Sequence, residues 1–542
     1  MISIHPRLTA LAAAGSLFTA TVVAQDHQHA TSPEKLGTVH FETSCSAAAQ
    51  PAFNRAMALL HSFEFGQAIQ GFQSTLAADP ACSIADWGIA LARWGNPFAV
   101  VVRPPAQLQQ GLDAIALAQK TPAKTERERG YVSAAARLYT DFDKIDQRTR
   151  VVAYSQAMGE LSAKYPADRE ATIFYALSLT ASALPTDKTY ANQLKAGAIL
   201  EKLYLEQPDH PGIAHYIIHS YDVPALADHA LGAARSYAKI APSAPHALHM
   251  PSHTFTRVGA WQESIDTNIL SADEASKEGA TAEQLHAMDY MAYAYLQTGQ
   301  DRAVQALMQK LPEITNRLNL NAVNSAAPGS AGVFATAAIP VRWALEHRDW
   351  KAAAALEPKS TTLPYADAMT HFARALGGAH TGALAQAKAS IDTLAQLRDR
   401  LTIANEAYWA EQVEIERLEA SAFLALAEKR PDEALSLMRT AATREDATEK
   451  SAVTPGPVAP ARELLGDMLL ELKQPAAALK EYQAVMKKEP NRFRALYGAA
   501  SAAALSGDQA QSKAIYAQLL KICVKADNPG RPELAEARKA SR

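Results

Sequence analysis

The sequence predicts an all-α helical-repeat superhelix, an α-solenoid, on three observations. Segments rich in alanine and leucine alternate with prolines and glycines, a pattern typical of short helices separated by turns. A His-x-x-x-His pair at His215 and His219 returns with the same spacing at His249 and His253. The second pair follows the first by 34 positions. Near both ends of the chain, small residues, aromatic residues and prolines are spaced as a repeat of this length requires.

The offset from His215 to His249 is that of the tetratricopeptide repeat, a helix–turn–helix unit of about 34 residues that stacks into a superhelix. Its consensus has small residues at positions 8 and 20, an aromatic at 24 and proline at 32. An N-terminal and a C-terminal copy fit it with Ala56, Ala68, Phe72 and Pro80, and with Gly466, Ala478, Tyr482 and Pro490. The small residues allow close helix packing, the aromatic fills the gap between repeats, and proline ends the second helix.

Breaks in the pattern divide the chain into segments. We expect a signal peptide over 1–24, a flexible mature N-terminus over 25–43, N-terminal repeats with the histidine pairs over 44–315, a loop over 316–332, C-terminal repeats over 333–526 with an inserted loop at 444–460, and a tail over 527–542.

The beginning of the chain has the features of a secretory signal. Arg7 precedes the apolar stretch 8–23, and small residues favour cleavage after Ala24. The stretch is shorter than the ~20 residues that a spanning helix needs. We therefore expect an exported, periplasmic protein without a transmembrane anchor. The net charge of −3 and the lack of a long basic run argue against nucleic acid as a partner.

Three cysteines fit an oxidising compartment that uses disulfides sparingly. Cys45 and Cys82 each precede a predicted helix, about one repeat apart, so a bridge between them is geometrically plausible. Two free, buried thiols are the alternative, and both interpretations stay open. Cys523 is left single.

Five sequence segments are more specific than the generic repeat: ALLHSFEFGQAIQGF, DPACSIADWGIAL, HYIIHSYD, APHALHMPSHTFTRVGAW and PGPVAPARELLGDMLLE. They resemble a group of exported bacterial tetratricopeptide proteins that has no established biochemical role. Members often have histidine where this chain has Ser451. The resemblance implies the fold but no reaction. In tetratricopeptide domains generally, the first helices line a concave groove, and positions 2, 5, 9, 12 and 13 face the ligand. We therefore expect a protein or peptide ligand.

This register predicts which side chains line the groove. With Pro211 and Pro245 at position 1, the central groove residues are His215, His219, Asp222, His246, His249 and His253. In the first two repeats, His61 falls at position 13, and Trp87 and Trp94 fall at positions 5 and 12. The two tryptophans form either an aromatic wall of the groove or ordinary packing, and the pattern favours packing.

Histidines at i and i+4 share a helix face, and packed helices lie ~8–10 Å apart, so imidazoles from two faces can reach one point. His215, His219, His249 and His253 are therefore a candidate site for Zn, Cu, Ni or Fe. Asp222 can serve as a ligand or orient a histidine. The alternative is a buried polar network without metal.

The expected function is a periplasmic scaffold whose groove binds a peptide, a small ligand or a metal ion. The alternative is a metal-dependent hydrolase or oxidoreductase that uses the same histidines, closed by the loops over 316–332 and 444–460. The motifs HExxH, GxSxG and Walker A are absent from the sequence, so no reaction is indicated. Glu411, Glu414, Glu416 and Glu419 are expected to form a solvated acidic helix face.

Overall fold

The computed structural model describes residues 34–99, 102–322 and 326–541, and every regular element in these ranges is a helix. The described chain from Lys35 onward forms one unit. The predicted all-α solenoid is confirmed. The predicted signal peptide and cleavage site lie outside the described residues.

The N-terminal repeats comprise α1 to α14, with a 3-10 turn at Ala227–Ala230 before α10. The helices are α1 Gln50–His61, α2 Phe65–Ala78, α3 Ile84–Trp94, α4 Pro105–Lys120, α5 Glu126–Ala136, α6 Gln147–Lys164, α7 Arg169–Ala181, α8 Ala191–Glu206, α9 Pro211–Ser220, α10 Leu231–Ile240, α11 Pro245–His249, α12 Pro251–Arg257, α13 Trp261–Lys277 and α14 Thr281–Thr298.

The second half continues the same alternation. Its helices are α15 Asp301–Thr315, α16 Gly329–Glu346, α17 Trp350–Ala355, α18 Pro364–Thr381, α19 Leu384–Ile403, α20 Ala407–Ala427, α21 Pro431–Asp446, α22 Ala461–Glu471, α23 Pro475–Lys488, α24 Phe493–Leu505, α25 Gln509–Ile522 and α26 Pro532–Ala540.

Local sequence determines where the helices begin. Proline occupies the first turn of α4, α9, α18 and α23, where its missing N–H removes no helical hydrogen bond. Other helices begin with a side-chain cap: Thr125, Asp146 and Asp168 each accept a hydrogen bond from a backbone N–H in the first turn.

The consensus small and aromatic residues pack as the repeat predicts. Tyr482 is buried between α22 and α24, and a Cβ added to Gly466 or Gly498 would lie 2.8 or 2.4 Å from its ring. Near the N-terminus, a Cβ on Gly71 would meet that of Ala56 at 2.9 Å. Small residues are thus required for the close approach of neighbouring helices.

The C-terminal repeats curl back onto the middle of the chain. The amide of Asp527 donates to the carbonyl of Gly299 at 3.0 Å, and Arg531 forms an ion pair with Asp301 at 2.6 Å. The indole N–H of Trp261 donates to the carbonyl of Asn491 at 2.8 Å. The predicted tail over 527–542 is wrong in this respect, because α26 is amphipathic and buries two apolar side chains in the second half of the fold.

Part of the segment 25–43, which the sequence predicts to be flexible, is packed against the rest of the chain. Leu36, Val39 and Phe41 are buried, and the amide of Thr38 donates to the carbonyl of Asp209 at 3.0 Å. The expectation was wrong for residues 36–41, because this stretch carries three apolar side chains that pack in the N-terminal hydrophobic core. We call residues 36–41 the strap.

Cys45 and Cys82 form a disulfide with a Cα–Cα distance of 4.9 Å, and Cys523 is a buried free thiol. The bridge joins the segment before α1 to the segment before α3, so a covalent bond links the two ends of the α1–α2 helix pair. Of the two interpretations, the structure contains the disulfide.

Both predicted loops fall between helices, and residues 323–325 of the first lie outside the described residues. The first is shorter than 316–332, since α16 begins at Gly329. The second, between α21 and α22, is held by Arg342, whose guanidinium donates to the carbonyls of Gly456 and Pro457. Tyr290 contributes a hydroxyl that donates to backbone carbonyls of the same loop. Within the described residues, no helix is long and apolar enough to cross a membrane.

Candidate metal centre

Six histidines from three consecutive repeats converge in the centre of the fold. They come from α9, from the interrupted helix formed by α11 and α12, and from α14. All six are buried, with at most 7% of each residue exposed: His215, His219, His246, His249, His253 and His286.

The interruption between α11 and α12 does not change the face on which the histidines lie. Pro251 lacks the N–H that would continue the helical ladder, but Met250 keeps helical dihedrals of −54° and −35°. His249 and His253 therefore remain one turn apart on a common face, as their spacing predicts. Their Nε2 atoms are 3.1 Å apart.

The imidazoles form two triads whose candidate ligand atoms lie within 4.8 Å of one another in each triad. We call them the first triad (His215, His219, His246) and the second triad (His249, His253, His286). The triads adjoin: ring centroids are 5.9 Å apart between His246 and His249, and 6.0 Å between His219 and His253.

Hydrogen bonds fix the tautomers in the first triad. Nδ1 of His215 contacts the carbonyl of His61 at 2.7 Å, and a carbonyl can only accept, so this nitrogen carries the proton. Nδ1 of His246 contacts Oε1 of Glu283 at 3.1 Å, while Oε2 of Glu283 accepts from the amide of Ala327. Burial opposes ionisation of Glu283, but the two histidines beside it hold its pKa below the ordinary value.

The same arrangement recurs in the second triad. Nδ1 of His249 donates to Oδ1 of Asn268 at 2.7 Å, and the Asn268 amide is oriented by its own donation to the carbonyl of Ser264. Nδ1 of His253 donates to Oδ2 of Asp222 at 2.9 Å, and Arg257 holds the other oxygen at 2.8 Å. Both oxygens of Asp222 are thus engaged by neighbouring side chains, which fits a group that orients a histidine.

Protons on Nδ1 leave bare lone pairs on Nε2. Nε2 of His215 lies 3.1 Å from Nε2 of His246, and the Nε2 atoms of His249 and His253 are separated by the same distance. In the neutral forms neither contact has a proton to share, so each sets two lone pairs against one another. A cation between them removes the repulsion.

A proton is a poor cation for this position. Burial, followed by the neighbouring histidines, lowers the pKa of His215 and His249 well below the ordinary value. A metal ion fits the geometry better, since two nitrogens bound tetrahedrally at about 2.0–2.1 Å lie about 3.3 Å apart.

Each triad also contains a nitrogen without a partner. Nε2 of His219 and Nδ1 of His286 are buried and make no hydrogen bond to any residue that the structure describes. Burial lowers the pKa of both imidazoles, that of His286 to about 3. Each imidazole can therefore supply the third neutral nitrogen ligand to a metal ion in its triad.

A third cluster of similar composition has a different character. Glu170 accepts from Nε2 of His61 and from Nε2 of His210, both at 2.9 Å. Nδ1 of His61 contacts the hydroxyl of Tyr216 at 3.0 Å, and Nδ1 of His210 accepts from the amide of Ile213. Every ring nitrogen is satisfied, so this cluster is a hydrogen-bonded support. It holds the residue whose carbonyl orients His215.

A small pocket of about 40 Å³ adjoins the triads. Phe98, Tyr365 and Trp409 contribute aromatic walls, and Phe98 stacks on His219 with centroids 3.9 Å apart. Residues 326–331 and 451–453, from the two predicted loops, close the pocket. Ser451 is among these residues, but its hydroxyl accepts from the amide of Val453.

Some of the residues predicted from the sequence lie in the histidine site, and others lie in the hydrophobic core. The central histidines and Asp222 come together, although as buried side chains and not along an open groove. Trp87 is fully buried against Phe41 and Tyr131, and Trp94 packs beneath the guanidinium of Arg103 at 4.0 Å. The tryptophans therefore pack in the core, as the pattern favoured.

Two site residues were not predicted, and His246 was predicted only as a groove residue. Glu283 lies one full repeat period after His249, so the period could have found it. His286 falls one position short of a full period after His253 and is therefore out of register. The predicted set of His215, His219, His249 and His253 is instead split between two triads, each completed by a further histidine.

The sequence matches no protein-family model and none of the curated proteins with which it was compared. The structure is similar to the human IFIT1 dimer with m7Gppp-AAAA, with a TM-score of 0.36, 11% identity, and coverage of 86% of this chain and 95% of that one. The human IFIT1 dimer with PPP-AAAA gives a TM-score of 0.34, 10% identity, and coverage of 87% and 89%. The fold class above rests on the order and packing of the helices.

Proposed function

We propose that this protein is a metalloprotein that holds two first-row transition-metal ions, one in each histidine triad. The proposal is carried by two buried contacts, His215–His246 and His249–His253. In each contact the two Nε2 atoms face one another at 3.1 Å. A hydrogen-bonded network without metal would place a proton between the two nitrogens. In the neutral tautomers that the hydrogen-bond partners favour, the protons lie on Nδ1, on the far side of all four rings.

The donor set selects the class of metal. Six imidazoles without a carboxylate or thiolate in the triads suit Zn, Cu, Ni or Fe and disfavour Mg and Ca, which take oxygen ligands. The hydrogen bonds from Nδ1 to Glu283, Asn268, Asp222 and a backbone carbonyl are the outer contacts that orient such ligands and raise their basicity. Among divalent ions Cu²⁺ should bind most tightly.

Of the three expected ligands, a peptide, a small ligand or a metal ion, the burial of the histidines supports the metal ion. A peptide in an open groove would need exposed groove side chains, whereas His215 and His249 are 0% exposed. Export to the periplasm remains part of the proposal.

A metal-dependent enzyme is the second candidate, favoured by one observation. Three histidines per ion leave coordination positions open, and the adjoining pocket of about 40 Å³ has room for about three waters. Structural metal sites are usually closed by four ligands. Ions with open positions activate water or a small substrate for hydrolysis or oxidation.

The test is elemental analysis of untagged protein, followed by titration of the metal-stripped chain with Zn²⁺ and Cu²⁺ against a chelator. Two equivalents per chain are expected. Absence of bound metal from the purified protein and from the supplemented protein would overturn the proposal. Loaded protein that turns over neither hydrolytic nor oxidisable substrates would leave a metal-binding protein and reject the enzyme.

A further inference from the structure

A second cavity, of about 90 Å³, lies between α18, α20 and the loop that precedes α22. Tyr365 and Trp409 line both this cavity and the histidine pocket. Their rings stack with centroids 4.1 Å apart and an interplanar angle of 11°. The stacked pair forms a wall, so the cavity is a compartment distinct from the histidine pocket.

One face of α20 lines the cavity with polar groups that lack partners. Gln412, Glu416 and Glu419 follow at i, i+4 and i+7, which places them on one side of the helix. Nε2 of Gln412, Oε2 of Glu416 and Oε1 of Glu419 are buried and have no hydrogen-bond partner among the described residues. Glu419 is only 1% exposed. This face is therefore not the solvated surface that the sequence predicts.

The cations in the cavity wall are engaged elsewhere. Arg257 and Lys450 both pair with Asp222, at 2.8 and 3.4 Å. Lys488 lies 3.9 Å from Glu445 and 3.6 Å from Asp446. The two carboxyl groups of α20 thus face the cavity without a compensating charge from these side chains, and burial of such groups is costly.

The ionisation behaviour of these groups agrees with this geometry. Burial raises the pKa of Glu416 to about 8. Burial also raises the pKa of Glu419, and the neighbouring Glu445 and Glu416 add to the effect. With a pKa of about 8, Glu416 favours its protonated form at about pH 7 in the absence of a cation, and a cationic ligand would displace that proton.

Aromatic rings line another part of the cavity. Phe334, Phe372 and Tyr408 line the cavity together with the stacked pair. Aromatic faces attract organic cations, but they offer no oxygen ligands.

Ca²⁺ takes six to eight oxygen ligands. The cavity wall also carries Glu445, Glu449 and Glu489, but Lys488, Lys188 and the hydroxyl of Tyr293 contact these carboxylates. One oxygen each of Glu416, Glu419 and Glu449 is buried without a hydrogen-bond partner among the described residues, so three unpartnered oxygens remain in this wall, fewer than Ca²⁺ takes.

From this geometry we infer that the cavity binds a compact organic ammonium ion, whose N–H groups donate to Glu416 and Glu419 while aromatic rings enclose its carbon atoms. The site is separate from the metal centre, since no histidine of either triad lines the cavity, although Arg257 and Lys450 of its wall pair with Asp222.

Calorimetry on the full chain tests the inference with butylammonium, methylammonium and guanidinium chlorides as probes. Butan-1-ol serves as the neutral analogue of butylammonium. At least one cation should bind with a stoichiometry of one, and butan-1-ol should not. Binding at about pH 7 should release protons, detected as a heat that depends on the ionisation enthalpy of the buffer.

Glu419→Gln keeps the shape of the side chain and should weaken binding about tenfold or more, because it removes a charged hydrogen-bond acceptor. Glu414→Gln is the matched control on the same helix, since Glu414 pairs with Arg398 and Arg417. It should bind as the parent does. Thermal unfolding of both variants checks that they fold.

Four outcomes would overturn the inference: no binding of any of the three cations, equal binding of butan-1-ol, tighter binding of Ca²⁺ than of the ammonium probes, or unchanged affinity in folded Glu419→Gln. The last outcome would place the amine elsewhere, for example on a metal ion.

Discussion

Oδ2 of Asp222 accepts a hydrogen bond from Nδ1 of His253 at 2.9 Å, and Oδ1 of the same carboxylate accepts from Nε of Arg257 at 2.8 Å. One side chain therefore sets the tautomer of a candidate ligand and balances a buried guanidinium. Burial alone would raise the pKa of Asp222, but Lys450, Arg257 and His253 hold it well below the ordinary value.

Asp222→Asn should weaken metal binding in the second triad by about 10- to 100-fold. His253 and Arg257 donate to different oxygens of Asp222, and asparagine replaces one of these with an NH2 group that cannot accept. The side chain therefore no longer holds both partners, and the imidazole is less firmly oriented. Competition with a chelator measures the affinity of each of the two sites. Asp228→Asn, at an exposed position, is the control. Equal affinities in both variants and the parent would show that Asp222 does not position His253.

Single substitutions should remove the two ions separately. His219→Ala takes one donor from the first triad and His253→Ala takes one from the second, so each should lower the metal content from two to one. The double variant should retain none and keep its helical circular dichroism. His229→Ala, an exposed histidine outside the triads, should bind two ions. Full retention in the double variant would contradict the site.

Metal retention should persist at unusually low pH. Protons compete with metal only below the pKa of a ligand, and burial lowers the pKa of His253 to about 4 and that of His286 to about 3. An ordinary histidine with a pKa near 6.5 is mostly protonated at about pH 5. Dialysis and elemental analysis should find metal retained at about pH 5 and released below about pH 4. Half-release near pH 6.5 in folded protein would contradict the lowered values.

The disulfide should stabilise the first repeats. It closes a loop with a sequence separation of 37, for which chain entropy predicts about 4 kcal/mol. Cys45→Ala with Cys82→Ala should therefore lower the midpoint of urea unfolding. Cys523→Ala, which removes a free thiol, is the comparison. An unchanged midpoint in the double variant would show that the strap and helix packing hold this region without the bridge.

The repeat period predicted much of this architecture. The offset between the two histidine pairs indicated that they occupy equivalent faces, and the consensus positions of Gly466 and Tyr482 pack as expected. The period also marks Glu283. These features depend only on helix geometry and on the contact between adjacent repeats, both of which are encoded locally.

The grouping of the histidines could not be predicted in the same way. Whether His246 joins His215 or His249 depends on the twist between neighbouring repeats, and a change of a few ångströms would regroup the rings. His286 lies one position out of register and joins the site where α14 packs against α11 and α13. The burial of Glu416 and Glu419 depends on distant segments that close over α20, which local sequence does not reveal.

The contact between the C-terminal repeats and the middle of the chain, through Asp527 and Gly299 and through Arg531 and Asp301, changes how the protein should unfold. In an open solenoid each repeat touches only its neighbours, so the terminal repeats fray first. Here the segment that begins the last helix is tied to the middle of the chain, as the hydrogen bond from Arg531 to Asp301 spans 230 positions. Because these contacts join the last helices to the middle of the chain, we expect the C-terminal repeats to unfold together with that region, not one at a time from the C-terminus.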